Sequence, residues 1–195
     1  MRTARLGLLI ICGVLAEKIL AVVNGEILTL QDFEDHLALR TIYPTDAVDV
    51  DRQQAVQRFV DQALLRQEAL RTRIVQIGED EVSQHLRELG QQLDRGQELG
   101  RVMQERGLSR HDVRTWIRHQ LIVRDFIDRR VRLFVRIPES QIVQYYQDHQ
   151  QTIGEPLDGV IREQIWRLLA ERQVNVRLTE LLGELRKKGK LDFPP

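Results

Sequence analysis

The chain has 195 residues, of which 42% are hydrophobic, 5% aromatic and 30% charged, and its 29 basic side chains are balanced by 29 acidic ones. A neutral balance removes the global positive field that draws in nucleic acid. So much charge with so few aromatics describes amphipathic helices with wet outer faces, and the length fits one domain or one domain with an appendage.

Residues 1–16 read as an export signal outside the fold. Arg2 and Arg5 form a basic start, Leu6 to Leu15 is an apolar stretch broken only by Gly7 and Gly13, and Val14 and Ala16 place small residues before a cut at Glu17. An apolar stretch of about ten residues is too short for a spanning helix of about twenty, which argues against an uncleaved anchor. Cys12 sits inside that stretch and not at its end, as a lipoprotein would need. Cleavage before Glu17 removes the sole cysteine and leaves 27 basic against 29 acidic residues. No disulfide or thiolate metal site remains, which suits an oxidising compartment.

Ile19 to Val23 is a short apolar run that meets an Asn24-Gly25 turn. Ile27 and Leu28 follow and run into a helix over 30–39, with Thr29 as N-cap and Asp32 completing an approximate capping box. Residues 41–50, with Pro44, read as a loop. From Asp51 to about Arg73 a helix carries Val56, Phe59, Val60, Ala63 and Leu64 on one face. Ile74 to Gly78 is a break. Glu79-Asp80-Glu81 then puts acid at a helix start, where the dipole favours it, and Val82, Leu86, Leu89 and Leu93 continue as a stripe. A short helix near 97–106 carries Leu99, Val102 and Met103 and stops at Gly107.

Ser109 with Asp112 caps the next helix, whose expected buried line is Val113, Trp116, Ile117, Val123 and Ile127. Arg132 to Ile137 alternates and reads as strand-like. Pro138 fits the first turn of a helix with Ile142, Tyr145, Tyr146 and His149 at helical spacing. Thr152 to Gly159, with Gly154 and Pro156, is a linker. A last helix over about 160–187 turns Ile161, Ile165, Leu168, Leu169, Leu178, Leu182 and Leu185 inward. It ends at Gly189, and Leu191-Asp192-Phe193 is a terminal strand candidate.

The order of these pieces resembles the SurA-like family of periplasmic chaperones over nearly the whole chain after residue 16. The carrying residues are Val22-Val23-Asn24-Gly25, Val60-Asp61-Gln62-Ala63-Leu64-Leu65 with Glu68-Ala69, and the Gly107-Leu108-Ser109 turn. Val135, Ile137, Pro138 and Glu139 leading to Tyr145-Tyr146, and the closing Glu184-Leu185-Arg186, complete the set. The resemblance implies a mainly α fold: a multi-helix N-terminal domain over 17–151, completed by a helix and strand from 160–195, with a small β pairing between the two end strands. In that family parvulin-type prolyl isomerase domains sit between the Tyr-Tyr helix and the last helix. Here residues 152–159 fill the interval, eight residues cannot hold such a domain, and its activity and catalytic residues are not carried over.

Other chemistry has little support. The histidines, His36, His85, His111, His119 and His149, form no His-Glu-x-x-His pair. Glu81, His85 and Glu88 share a helix face and suit either a metal or a solvated surface, and the surface is the commoner use of such spacing. No phosphate loop or nucleophile elbow occurs. Arg110, Arg114, Arg118, Arg124, Arg129, Arg130, Arg132 and Arg136 cluster with Asp112, Asp125 and Asp128 on and after a Ser-capped helix, but they spread around it and read as a solvated or ion-paired face and not as a DNA-recognition stripe. Trp116 and Trp166 read as core, with Tyr145 and Tyr146 as core or groove.

The sequence thus assigns no catalytic, cofactor-binding or metal-ligating residue and leaves the substrate-binding ones unplaced. Its expectation is an exported, periplasmic, ATP-independent chaperone without a cofactor, binding unfolded or partly folded envelope polypeptides, outer-membrane proteins among them, through an apolar surface. No nucleic acid and no stable membrane span are expected. A homo-oligomer formed by swapping the last helix is compatible with the short linker. The alternatives are an adaptor with one fixed envelope partner and a prolyl isomerase by family inheritance.

Overall fold

The computed structural model describes residues 18–42, 51–91 and 93–194. The export-signal reading of 1–16 and residues 43–50 of the expected loop lie outside them. In chain order the elements are β1 (Ile19–Val23), β2 (Glu26–Thr29), α1 (Leu30–Arg40), α2 (Arg52–Thr72), α3 (Glu79–Gln91), α4 (Leu93–Arg106) and α5 (Arg110–Arg130). A 3₁₀ turn (Arg132–Phe134), α6 (Glu139–Ile153), α7 (Gly159–Lys188) and β3 (Leu191–Asp192) follow. The fold is mainly helical with one small antiparallel sheet in the order β2-β1-β3.

Asn24 and Gly25 both adopt positive φ, +52° and +89°, as the tight turn of a right-twisted hairpin requires, and glycine does so without Cβ strain. The turn therefore folds Glu26–Thr29 back on β1, pairing Val23 with Glu26 and Val22 with Ile27. The sequence reading ran Ile27 and Leu28 directly into the helix; the structure makes them a strand first. At its end the capping box forms: Asp32 N–H donates to Thr29 Oγ1 at 3.1 Å, and Thr29 N–H donates to Asp32 Oδ2 at 2.9 Å. Ser109 and Asp112 repeat the device at α5, at 3.2 and 2.8 Å. Asp51 and Asp158 cap α2 and α7, each through one carboxylate oxygen accepting from two backbone N–H groups.

The two ends of the described chain meet as the resemblance implied. β3 pairs antiparallel with β1, Leu191 opposite Val23 and Asp192 opposite Val22. The approach is close at Gly189, where a Cβ would lie 3.0 Å from Leu185 O and 3.2 Å from Asn24 Oδ1. Ala21, Val23 and Leu28 of the hairpin pack on Val60, Ala63 and Leu64 of α2, and Leu185 and Leu191 close this layer. Arg186 of α7 grips Asp61 of α2 with Nε at 2.9 Å and Nη2 at 2.6–2.7 Å.

The apolar residues fall into layers threaded by α5 and α7. Leu39 of α1, Val82 and Leu89 of α3, Leu99 and Val102 of α4, and Val113, Ile117 and Leu121 of α5 form one. Leu65 and Ala69 of α2, Ile122, Val123 and Phe126 of α5, and Leu178, Leu181 and Leu182 of α7 form the next. Full burial of such a side chain contributes about 1.5–3 kcal/mol. The first half of α7 instead packs on α6: Ile161 and Ile165 meet Ile142, Tyr145 and Tyr146. Between these halves Ala170 and Val174 bury Val131 and Val135.

Several sequence expectations are corrected. Arg132 to Ile137 is not strand-like. A 3₁₀ turn places Val131 and Val135 in the core and leaves Leu133 and Phe134 exposed, so the apolar residues follow a four-residue spacing that an alternation reading mistakes for a strand. Pro138 is the N-cap of α6 with extended backbone, not part of its first turn. The linker is shorter than 152–159, because α6 continues through Ile153. The short helix near 97–106 begins at Leu93, and α3 ends at Gln91, so the stripe continued to Leu93 spans two helices. Trp166 is 42% and Leu168 40% exposed, not inward: the α6 partner covers only the face holding Ile161, Ile165 and Leu169. On α5 the buried line adds Leu121, Ile122 and Phe126, because this helix is sandwiched and not laid on one surface.

Candidate functional site

A concavity with apolar and polar walls lies between β2, α1, α2 and α5 and encloses about 430 Å³. Helical periodicity assembles it. Phe59, Gln62, Ala63 and Arg66 share one face of α2, and Thr115, Trp116, His119 and Val123 share one face of α5. The hairpin supplies Glu26, Ile27 and Leu28, and α1 supplies Asp32, Asp35, His36 and Leu39. The apolar part is Ile27, Leu28, Leu39, Phe59, Trp116 and Val123, and a polar margin surrounds it.

Two histidines are held neutral in its walls. Burial pushes His36 down to about 4, and the Arg40 cation adds to this. The indole Nε1–H of Trp116 donates to His36 Nδ1 at 3.1 Å, so that nitrogen keeps its lone pair. His36 also packs against the Phe59 ring at 5.1 Å between centroids. His119 is pushed to about 4 by burial and by the Arg66 cation, against the opposing pull of Glu26. Arg66 Nη1 lies 2.8 Å from Nδ1 and 3.1 Å from Nε2 of that ring, and since a guanidinium only donates, the nitrogen that accepts is unprotonated.

Arg66 also pairs with Glu26, and a chain of hydrogen bonds runs on from there. Gln67 Nε2 donates to Glu26 Oε2 at 2.7 Å and to Val23 O at 3.0 Å, Asn24 Nδ2 donates to Gln67 Oε1 at 2.8 Å, and Asn24 Oδ1 accepts from Lys190 N–H at 2.8 Å. The cleft wall is thereby tied to the C-terminal strand. Burial alone would raise Glu26, but the hydrogen bonds from Gln67 and Arg66 outweigh it and hold the carboxyl below its usual value. At the other lip, side-chain and backbone hydrogen bonds from Ser109 hold Asp112 low. Asp35 is clamped by Arg106 Nε of α4 at 2.8 Å.

Of the five histidines, His36, His111 and His119 line the cleft and the other two do not. His85 contacts Glu81 O at 3.1 Å and Arg124 Nη1 at 3.3 Å, and Glu88 accepts from Gln84 at 2.9 Å, so the Glu81-His85-Glu88 face is occupied by surface contacts. Among the described residues no group of three His, Cys, Asp or Glu side chains could hold a metal ion. Among the described residues four of the eight arginines of the basic run are ion-paired. Arg114 and Arg118 hold Glu79, Arg124 reaches Asp125, and Arg132 holds Asp128 and Glu171. Tyr145 is stacked on His149 at 4.0 Å, away from the cleft.

The sequence reading did not single out Glu26, Arg66 or Gln67. The available signal was the spacing of Phe59, Gln62 and Arg66, a half-polar stripe beside the apolar one on the same helix. No described helix is long and apolar enough to cross a membrane. No family model matches the chain, and no curated protein matches it in sequence.

Proposed function

We propose that this protein is an exported, ATP-independent chaperone of the SurA-like type that binds unfolded or partly folded envelope polypeptides in the periplasm. The observation that carries the reading is the open cleft between β2, α1, α2 and α5, apolar at Ile27, Phe59 and Trp116 and polar at its margin. A site of this kind holds chains by buried apolar area and needs no nucleotide. The meeting of β1 with β3 and the position of α7 accord with the family's architecture. The connection between α6 and α7 is confined to residues 154–158, which argues for binding without prolyl isomerisation.

The test is light scattering from an unfolded outer-membrane protein diluted out of urea. The mature protein, starting near residue 17, is expected to suppress aggregation in proportion to its concentration and without ATP. Trp116→Ala, checked for folding by circular dichroism, should weaken suppression. Unchanged aggregation at a molar excess of the intact protein would sink the reading.

A further inference from the structure

We propose that the cleft takes its client as an added β-strand along the outer edge of β2, and that it selects an extended segment bearing a large apolar side chain beside lysine or arginine. The proposal rests on the chaperone reading for the nature of the client, and its mode of binding is argued from the strand itself.

Among the described residues the sheet order β2-β1-β3 leaves β2 with one neighbour. Val23 and Glu26 flank the two-residue turn and so form a hydrogen-bonded pair, and pairs alternate along an antiparallel ladder. Ile27, opposite Val22, is then the non-bonded position, with its N–H and C=O directed away from β1. Ile27 and Leu28 send their side chains to opposite faces of the strand, yet both line the cleft, so the cleft opens on the strand's edge. The Ile27 side chain is itself 56% exposed. At the next outward position the Thr29 N–H is already taken by Asp32 Oδ2 at 2.9 Å. Among the described residues the edge therefore offers one donor and one acceptor to a partner strand, set beside the Phe59 and Trp116 rings.

Charge decides what flanks the apolar residue. Among the described residues lining the cleft, the carboxylates of Glu26, Asp32, Asp35 and Asp112 stand against the guanidinium of Arg66; Arg66 is committed to Glu26 and Arg106 of α4 to Asp35, which leaves Asp32 and Asp112 without a cationic side chain in the lining. His36 and His119 are neutral and do not redress the balance. Acidic walls around an apolar floor favour a cationic strand and repel an acidic one.

The experiment uses the mature chain and three short peptides with a central phenylalanine: one flanked by lysines, one by glutamates, and the lysine peptide N-methylated at the central amide. Binding is titrated by Trp fluorescence, and the Ile27 amide is followed by hydrogen exchange. The lysine peptide should bind at least about tenfold tighter than the glutamate peptide at low salt, with the gap narrowing as salt rises. N-methylation, or Ile27→Pro in the protein, should each cost about tenfold, because proline removes the outward donor without breaking a ladder bond to β1. The Ile27 amide should become protected on peptide binding.

Equal binding of the two charged peptides would overturn the selection, and an Ile27 amide that exchanges freely in the complex would overturn the strand addition. Protection of that amide in the free protein, rising with protein concentration, would assign the edge to a second copy of the chain and overturn the proposal. Aggregation suppression is measured in parallel: if it persists in Ile27→Pro while the peptide readouts fail, the docking mode is wrong and the chaperone reading stands.

Discussion

His36 and His119 are the two side chains whose ionisation the fold resists most. Both are pushed down to about 4, His36 by burial and the Arg40 cation, and His119 by burial and the Arg66 cation. In the unfolded chain each titrates near its ordinary 6.5. Between those values the unfolded state binds protons that the native state refuses, so stability falls as pH drops from about 6.5 to about 4, by up to about 1.4 kcal/mol per pH unit for each histidine. Glu26 acts in a lower window: its depressed carboxyl adds stability above its ordinary 4.5 that is lost as pH falls through the folded value. Urea titrations at pH 7, 6, 5 and 4 check this. His36→Leu should remove about one proton from the slope between pH 6.5 and 4, and an unchanged slope would contradict its neutral burial. The Asp61–Arg186 pair belongs to the same scale. The aspartate is nearly buried and the arginine half-exposed. Asp61→Ala should cost about 1–2 kcal/mol, chiefly by leaving the guanidinium unmatched against α2, whereas the double variant Asp61→Ala with Arg186→Leu should recover part of that loss.

At the scale of elements, α7 behaves as a spine of about 45 Å that meets a different partner in each third: α6, then the Val131–Val135 turn, then α2, α5 and the sheet. Deleting residues 160–195 therefore removes a wall from four apolar layers and the β3 strand together. Such a truncation is expected to be insoluble or to melt without cooperativity by circular dichroism; a sharp two-state transition would make the helix an appendage. The helices were legible in the sequence because caps and spacing agree. Thr29–Asp32, Asp51 and Ser109–Asp112 mark starts, and Gly107 marks an end with positive φ; Gly154, read as part of a linker, ends α6 in the same way. The 3₁₀ turn was not legible, since Val131 and Val135 declare their burial only once Ala170 and Val174 lie over them. Nor was Trp166, whose helical phase fits a core that α6 is too narrow to supply. The cleft was half legible. Phe59 and Trp116 were marked as inward residues, but Glu26 is joined to Arg66 and Gln67 across 40 and 41 positions of sequence, and no local pattern reports that.

For the molecule as a whole, the connection at 154–158 bears on activity. Uncatalysed prolyl isomerisation takes tens to hundreds of seconds, so even weak catalysis is easy to observe. In a protease-coupled assay the protein is expected to leave that rate unchanged, and the client binding proposed above should survive replacement of His85 or His149, which lie outside the cleft. Acceleration abolished by a single substitution would make the protein an enzyme. The join between β1 and β3 has a consequence for biogenesis as well. Because β1 lies between β2 and a strand at residues 191–192, its second row of backbone partners is synthesised long after β1 itself. The hairpin waits through translation with that edge bare, Asn24 lacks its Lys190 partner, and Asp61 awaits Arg186. Loop closure across most of the chain is slow, and a bare strand edge invites strangers. The nascent protein is thus, until β3 has been made, in need of the same protection against aggregation as any other unfinished chain.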